Sequence, residues 1–156
     1  MKRLLFGVGV ALFAAQCAPH GVAGAETFDT SHGPVEITAE VTGLSRPWGF
    51  AFLPGGALLI TERPGALRIW DGALSAPIRG LPSLDSAGQG GLLDVALARN
   101  FAASGEIYFS YAARTGNAAQ TRVARARLDR SALALRDVQV IFAQEPAQPA
   151  VSQFRM

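Results

Sequence analysis

A pattern of short apolar strands occurs twice in this sequence, starting near Phe50 and again near Val95, 45 residues apart. In the first copy, Gly49–Leu53 reads as a buried strand and Pro54-Gly55-Gly56 as a turn. Ala57–Glu62 is the next strand, Arg63-Pro64-Gly65 the next turn, and Leu67–Trp70 a third strand ended by Asp71-Gly72. In the second copy, Leu92–Leu97, Glu106–Tyr111 and Thr121–Leu128 repeat this order, and Val138–Phe142 adds a fourth strand. No segment has helical length together with helical period. A repeat of roughly 40 to 50 residues with four short strands is the pattern of a propeller blade. The fold class expected is therefore all-β, a β-propeller of four-stranded antiparallel blades, with about two blades in this chain. One blade cannot bury both faces of its sheet and depends on its neighbours.

Ahead of the repeat, Glu26–Pro34 is polar and reads as an irregular lead-in. Val35–Val41 alternates, with Val35, Ile37, Ala39 and Val41 on an apolar side and Glu36, Thr38 and Glu40 on a polar one. That predicts a strand with one buried face, suited to closing a ring against a last blade.

The N-terminus has the three parts of a secretory signal. Lys2 and Arg3 are followed by an apolar run, Leu4–Ala15, too short for a permanent membrane span, and then by Ala23-Gly24-Ala25. Residues 1–25 are expected to be cleaved before Glu26, leaving 26–156 as a periplasmic or secreted chain without a membrane anchor. The competing reading is a lipoprotein at Cys17, against which Gln16 stands where a small residue is wanted. Cleavage removes both Lys2 and Arg3 and leaves 12 basic and 12 acidic residues, so the basic isoelectric point argues for no nucleic-acid partner. It also removes the one cysteine, which excludes a disulfide.

From Trp48 onward the residues become specific. Gly43-Leu44-Ser45-Arg46-Pro47-Trp48-Gly49-Phe50-Ala51-Phe52-Leu53-Pro54, Thr61-Glu62-Arg63-Pro64-Gly65, Gly88-Gln89-Gly90-Gly91-Leu92-Leu93-Asp94-Val95-Ala96-Leu97 and Val140–Pro146 stand in order. Together they resemble the glucose/sorbosone dehydrogenase family, the soluble quinoprotein aldose sugar dehydrogenases. The resemblance implies a six-bladed propeller that holds pyrroloquinoline quinone (PQQ) and calcium and oxidises the anomeric hydroxyl of an aldose. In that family a histidine base follows the segment matched by Gln144-Glu145-Pro146, within a His-Phe-Gly pattern. Here the matching place reads Ser152-Gln153-Phe154-Arg155-Met156, so Gln153 stands where the histidine is expected. An amide is no general base near neutral pH, and no catalytic residue is assigned. The chain is accordingly expected to be an N-terminal fragment, truncated before the cofactor ligands and inactive alone.

The resemblance carries one site residue across, Gln89, as a sugar- and cofactor-facing amide. Its amide can donate to and accept from a hydroxyl, whereas the plain alternative is a turn residue between glycines. Asp94 reads either as a cavity carboxylate or as a capping or ladder-edge group, and Glu62 with Arg63 as a structural ion pair or turn anchor. Arg122, Arg125, Arg127 and Arg130 read as a solvated strand face rather than a polyanion site, since no aromatic residues interleave them. His32, the one histidine after cleavage, has no partner at ligand spacing, so no metal site and no serine-histidine triad is assigned. Trp48 and Trp70 read as core or inter-blade packing residues.

Two readings from other classes compete with the enzyme fragment. One is a non-catalytic periplasmic sugar-binding or structural propeller module with a ligand-facing loop at Gly88–Gly91. The other is a ring assembled from three copies.

Overall fold

The structure is a computed structural model that describes residues 25–149. The chain divides between Glu40 and Val41 into two units. Among the described residues no helix is long and apolar enough to cross a membrane.

The first unit contains a hairpin of β1 (Glu26–Thr30) and β2 (Gly33–Ile37), paired antiparallel with Phe28 opposite Val35. The irregular lead-in expected over Glu26–Pro34 is thus corrected to a strand, a turn and the start of a second strand. The turn supplies what the strand patterns lack. Thr30 Oγ1 donates to the Gly33 carbonyl at 2.7 Å and accepts the His32 N–H at 3.2 Å. The expected strand over Val35–Val41 ends at Ile37, and its apolar side is exposed rather than buried, at Val35 and Ile37 alike.

The second unit holds the repeat. β3 (Pro47–Phe52), β4 (Leu58–Glu62) and β5 (Ala66–Trp70) form an antiparallel sheet in chain order. β6 (Leu92–Leu97), β7 (Glu106–Thr115), β8 (Ala118–Asp129) and β9 (Ala134–Ala143) form a second, also in chain order. A two-residue strand, β10 (Gln148–Pro149), joins β8 beyond the end of β9. A single helical turn, α1 (Phe101–Ser104), lies between β6 and β7 and is closed by Gly105, whose N–H donates to the Phe101 carbonyl at 2.7 Å.

The all-β antiparallel class expected from the repeat is the observed one. The first sheet, however, has three regular strands where four were expected. Its fourth edge is an irregular run in which Ser75 and Ile78 donate to the carbonyls of Ile69 and Leu67, both at 2.8 Å. Pro77 lacks an N–H and lies within this run, so an unbroken ladder cannot form there. In the second sheet β9 carries a bulge, with Asp137 at φ 54° across from the Arg125–Arg127 stretch of β8.

The two sheets pack face to face through β3, β4 and β6. Strand alternation supplies the core, which takes Leu59, Leu67 and Ile69 from the first sheet and Val95, Ile107, Phe109, Tyr111, Ala124, Ala126 and Leu128 from the second. Each fully buried leucine there contributes about 1.5–3 kcal/mol. The opposite face of β3 stays uncovered, and Trp48, Phe50 and Phe52 are 55%, 59% and 69% exposed. Neither tryptophan belongs to the core, because Trp70 is only half-buried. Even-numbered positions of β3 point away from the second sheet, so Trp48 is not part of the core between the two sheets.

Candidate functional site

Where β3 and β6 begin and β4 ends, three backbone segments are tied in series. The Arg63 N–H donates to the Arg46 carbonyl at 3.0 Å, and the Leu92 N–H donates to the Arg63 carbonyl at 3.0 Å. Since β7 runs antiparallel to β6 and pairs Tyr111 with Leu92, the end of β7 and the start of β8 reach the same edge. This edge carries the loop that leads from Asp85 into β6.

The loop's shape follows from its glycines and from two charged side chains. Gly91 has φ 128°, and a Cβ there would run into the carbonyl oxygen of Arg63. A Cβ on Gly90 would meet the carbonyl oxygen of Asp85, so both positions need glycine for close approach. The Gly90 N–H donates to the Ala87 carbonyl at 2.8 Å, closing a tight turn. Asp85 Oδ1 accepts the Ala87 N–H at 3.1 Å. Arg114 Nη2 stands 2.9 Å from Asp85 Oδ2 without hydrogen-bond alignment, so that contact is electrostatic. Arg63 Nη1 donates to the Gly88 carbonyl at 2.7 Å. Gln89 sits at the apex with an exposed side chain, where its amide can meet a hydroxyl from solvent.

Gln144 comes to the same edge. Its N–H donates to the Thr121 carbonyl at 2.9 Å, and its Oε1 accepts the Thr121 N–H at 3.3 Å. Nearby, the Gln120 amide lies 2.9 Å from the Thr115 hydroxyl, and Arg122 Nη2 donates to that hydroxyl at 3.3 Å. Asp85, Arg114 and Gln120 were missed in the sequence. They lie far apart along the chain and match no local motif, and only the β6–β7–β8 register joins them.

The other candidates are placed as follows. Glu62 is buried at 2% exposure and pairs with Arg68 Nε at 2.7 Å, while its second oxygen accepts the Ser45 N–H. It is therefore structural, but its partner is Arg68 and not the adjacent Arg63. Asp94 is exposed on β6, its N–H donates to Ser110 Oγ at 3.1 Å, and its Oδ1 accepts the Val95 N–H at 2.9 Å. That is the ladder-edge role. It also borders a shallow depression of about 170 Å³ lined by Ala96, Tyr108, Ser110 and Val123. The arginine stretch is matched by carboxylates: Arg125 lies 3.6 Å from Glu106, Arg127 3.2 Å from Asp137, and Arg130 3.8 Å from Asp71. His32 is exposed in the hairpin turn with Ser31 Oγ 3.1 Å from Nδ1. Gln153 and residues 1–24 lie outside the described residues. No three histidine, cysteine, aspartate or glutamate side chains converge on a metal position among the described residues.

Two ionisable groups are displaced, both away from the Gln89 loop. The Tyr108 phenol donates to Glu106 Oε1 at 2.6 Å, and this bond to a carboxylate, with partial desolvation, raises its pKa. The Ala132 N–H and the Ser131 hydroxyl both donate to Asp129 and hold its carboxyl below the ordinary value.

The sequence pattern of the glucose/sorbosone dehydrogenases matches residues 44–155. Over 119 residues the chain is 41% identical to an aldose sugar dehydrogenase of Escherichia coli K12, covering 72% of this chain and 32% of that protein. A crystal structure of a glucose dehydrogenase is 47% identical and superposes with TM-score 0.67, over 71% of this chain and 33% of the other. The PQQ-bound form of an aldose sugar dehydrogenase from Streptomyces coelicolor is 28% identical, with TM-score 0.59 over 67% of this chain and 32% of the other. The chain spans about a third of the length of each of these relatives.

Proposed function

The chain belongs to the glucose/sorbosone dehydrogenase family, and from that premise we propose that it supplies the first blades of a PQQ-dependent aldose sugar dehydrogenase. Its contribution to the site is the Gln89 loop. The supporting observation is that an exposed amide crowns a loop held by the Asp85–Arg114 ion pair and the Arg63 contact, with backbone packed closely on Gly90 and Gly91. A preorganised amide of this kind binds a sugar hydroxyl without first having to be ordered.

The reaction of the intact enzyme is oxidation of an aldose at its anomeric hydroxyl to a lactone, with PQQ supplying the hydride acceptor when bound. The described residues fit only the periphery of such a site. They bring no carboxylate cluster together for calcium. Gln89, Gln120 and Gln144 are amides and cannot take a proton, and the carboxylate of this loop, Asp85, is engaged by Arg114 and the Ala87 N–H. The calcium ligands are accordingly expected from outside residues 25–149. The signal pattern of residues 1–25 supports export to the periplasm.

Sugar binding without turnover is the second reading, favoured by the exposed Gln89 amide, which can bind a hydroxyl but cannot take its proton. One experiment separates the two. The purified chain is mixed with an aldose, PQQ and calcium, dye reduction is followed, and sugar binding is measured by calorimetry in parallel. Cofactor-dependent dye reduction supports the enzyme, binding alone supports the module, and failure of both removes sugar chemistry from this chain.

A further inference from the structure

We propose that Arg63 is the positioning residue for Gln89, holding the loop from the turn that follows β4; the inference rests on the reading of Gln89 as the sugar-facing group. One residue grips the loop on both sides of Gln89. Ahead of it, the guanidinium donates to the Gly88 carbonyl at 2.7 Å. Behind it, the Arg63 carbonyl accepts the Leu92 N–H at 3.0 Å.

Gln89, Gly90 and Gly91 lie between these anchors, and two of the three are residues with the widest backbone freedom. Without anchors such a segment samples many conformations, and an amide carried on it loses its direction. The adjacent acid does not compete for Arg63, because Glu62 is buried against Arg68 on the other face of the strand. The Arg63 guanidinium is therefore available to the loop, and a charged donor to a carbonyl is among the stronger hydrogen bonds. The Arg63 backbone is fixed in turn by Arg46, so the loop of the second sheet is referenced to the start of the first.

The test uses Arg63→Ala and Arg63→Lys in the full chain, with residue-resolved hydrogen exchange and a glucose titration. Arg63→Ala is expected to speed exchange of the Ala87 and Gly90 amides about tenfold while amides of β4 and β7 keep their rates. Arg63→Lys, which keeps a cationic donor, should restore much of that protection. Unchanged loop rates in Arg63→Ala, or an equal acceleration through both sheets, would overturn the proposal. In the titration, Arg63→Ala should weaken glucose binding as Gln89→Ala does, with Arg63→Lys in between. If Arg63→Ala binds glucose like the wild type, positioning is refuted. A wild-type chain that binds no glucose refutes the sugar-facing reading of Gln89, and the exchange result still decides whether Arg63 holds the loop.

Discussion

Thr61 Oγ1 lies 2.6 Å from the carbonyl oxygen of Leu93, a hydrogen bond that passes from β4, the middle strand of the first sheet, to β6 at the edge of the second. The same oxygen accepts the Gly49 N–H at 2.9 Å. A hydroxyl has one proton to donate, so the short contact to Leu93 takes it, and the Gly49 carbonyl at 3.1 Å is left as a neighbour. Thr61 is fully buried, and these bonds fix how β3 and β6 sit against each other, and hence where the Gln89 loop begins.

Thr61→Val keeps the shape and removes the hydroxyl. It leaves the Leu93 carbonyl and the Gly49 N–H without their partner, and the expected loss is about 1–3 kcal/mol in urea-denaturation stability. A loss below a few tenths would show that water replaces the hydroxyl at no cost.

Glycine replacements rank by what they meet. At Gly49 an added Cβ would stand 2.6 Å from Asp94 Oδ1 and 3.3 Å from Asp94 Cα. The exposed carboxylate can swing away, so Gly49→Ala should cost about 1–3 kcal/mol and be partly relieved by Asp94→Ala. Gly91→Ala meets backbone and has a positive φ, so it should be clearly worse. Thermal midpoints of the three variants and of the double variant check the order.

Arg68→Met leaves the buried Glu62 carboxylate with the Ser45 N–H alone. A loss of roughly 3 kcal/mol is expected, the lower end for a broken buried pair because Arg68 keeps some contact with water. Arg125→Met, whose ion pair with Glu106 is 3.6 Å long and solvent-exposed, should change stability by less than about 1 kcal/mol. Chemical denaturation of both variants tests the contrast.

The Tyr108 phenol should titrate above 10.0, and Glu106→Gln should bring it down. A raised folded-state pKa means the contact supports the fold fully below pH 10 and is lost as pH rises through the higher folded value. Ultraviolet titration of phenolate formation reads this directly, and an unchanged value in Glu106→Gln would remove the carboxylate as the cause.

The uncovered apolar surface predicts self-association. Val140, Ile141 and Phe142 are 45%, 49% and 54% exposed on β9, an edge strand of its sheet, and Phe50 and Phe52 are exposed on β3. Val140→Lys should lower light scattering while changing unfolding stability by less than about 0.5 kcal/mol. Equal scattering from the variant would move the association to the β3 face.

Strand identity in the repeat was legible because alternation is local. β6 begins and ends at the residues its pattern indicates, and β3, β4 and β5 differ by a residue or two. The β1–β2 hairpin escaped notice because Glu26–Thr30 is too polar to alternate and its turn is set by one threonine hydroxyl. The irregular edge at Ser75–Ile78 escaped because Pro77 erases the period while the chain still bonds to β5.

By itself the sequence determined the all-β class and the two-sheet repeat, since each depends on neighbours along the chain. Only the tertiary structure decided that Glu62 belongs to Arg68, that Asp85 meets Arg114, and that Arg63 reaches Gly88. Those pairings join residues on different strands and loops. Strand register and the close approach of glycine backbones bring them together, and no local pattern encodes either.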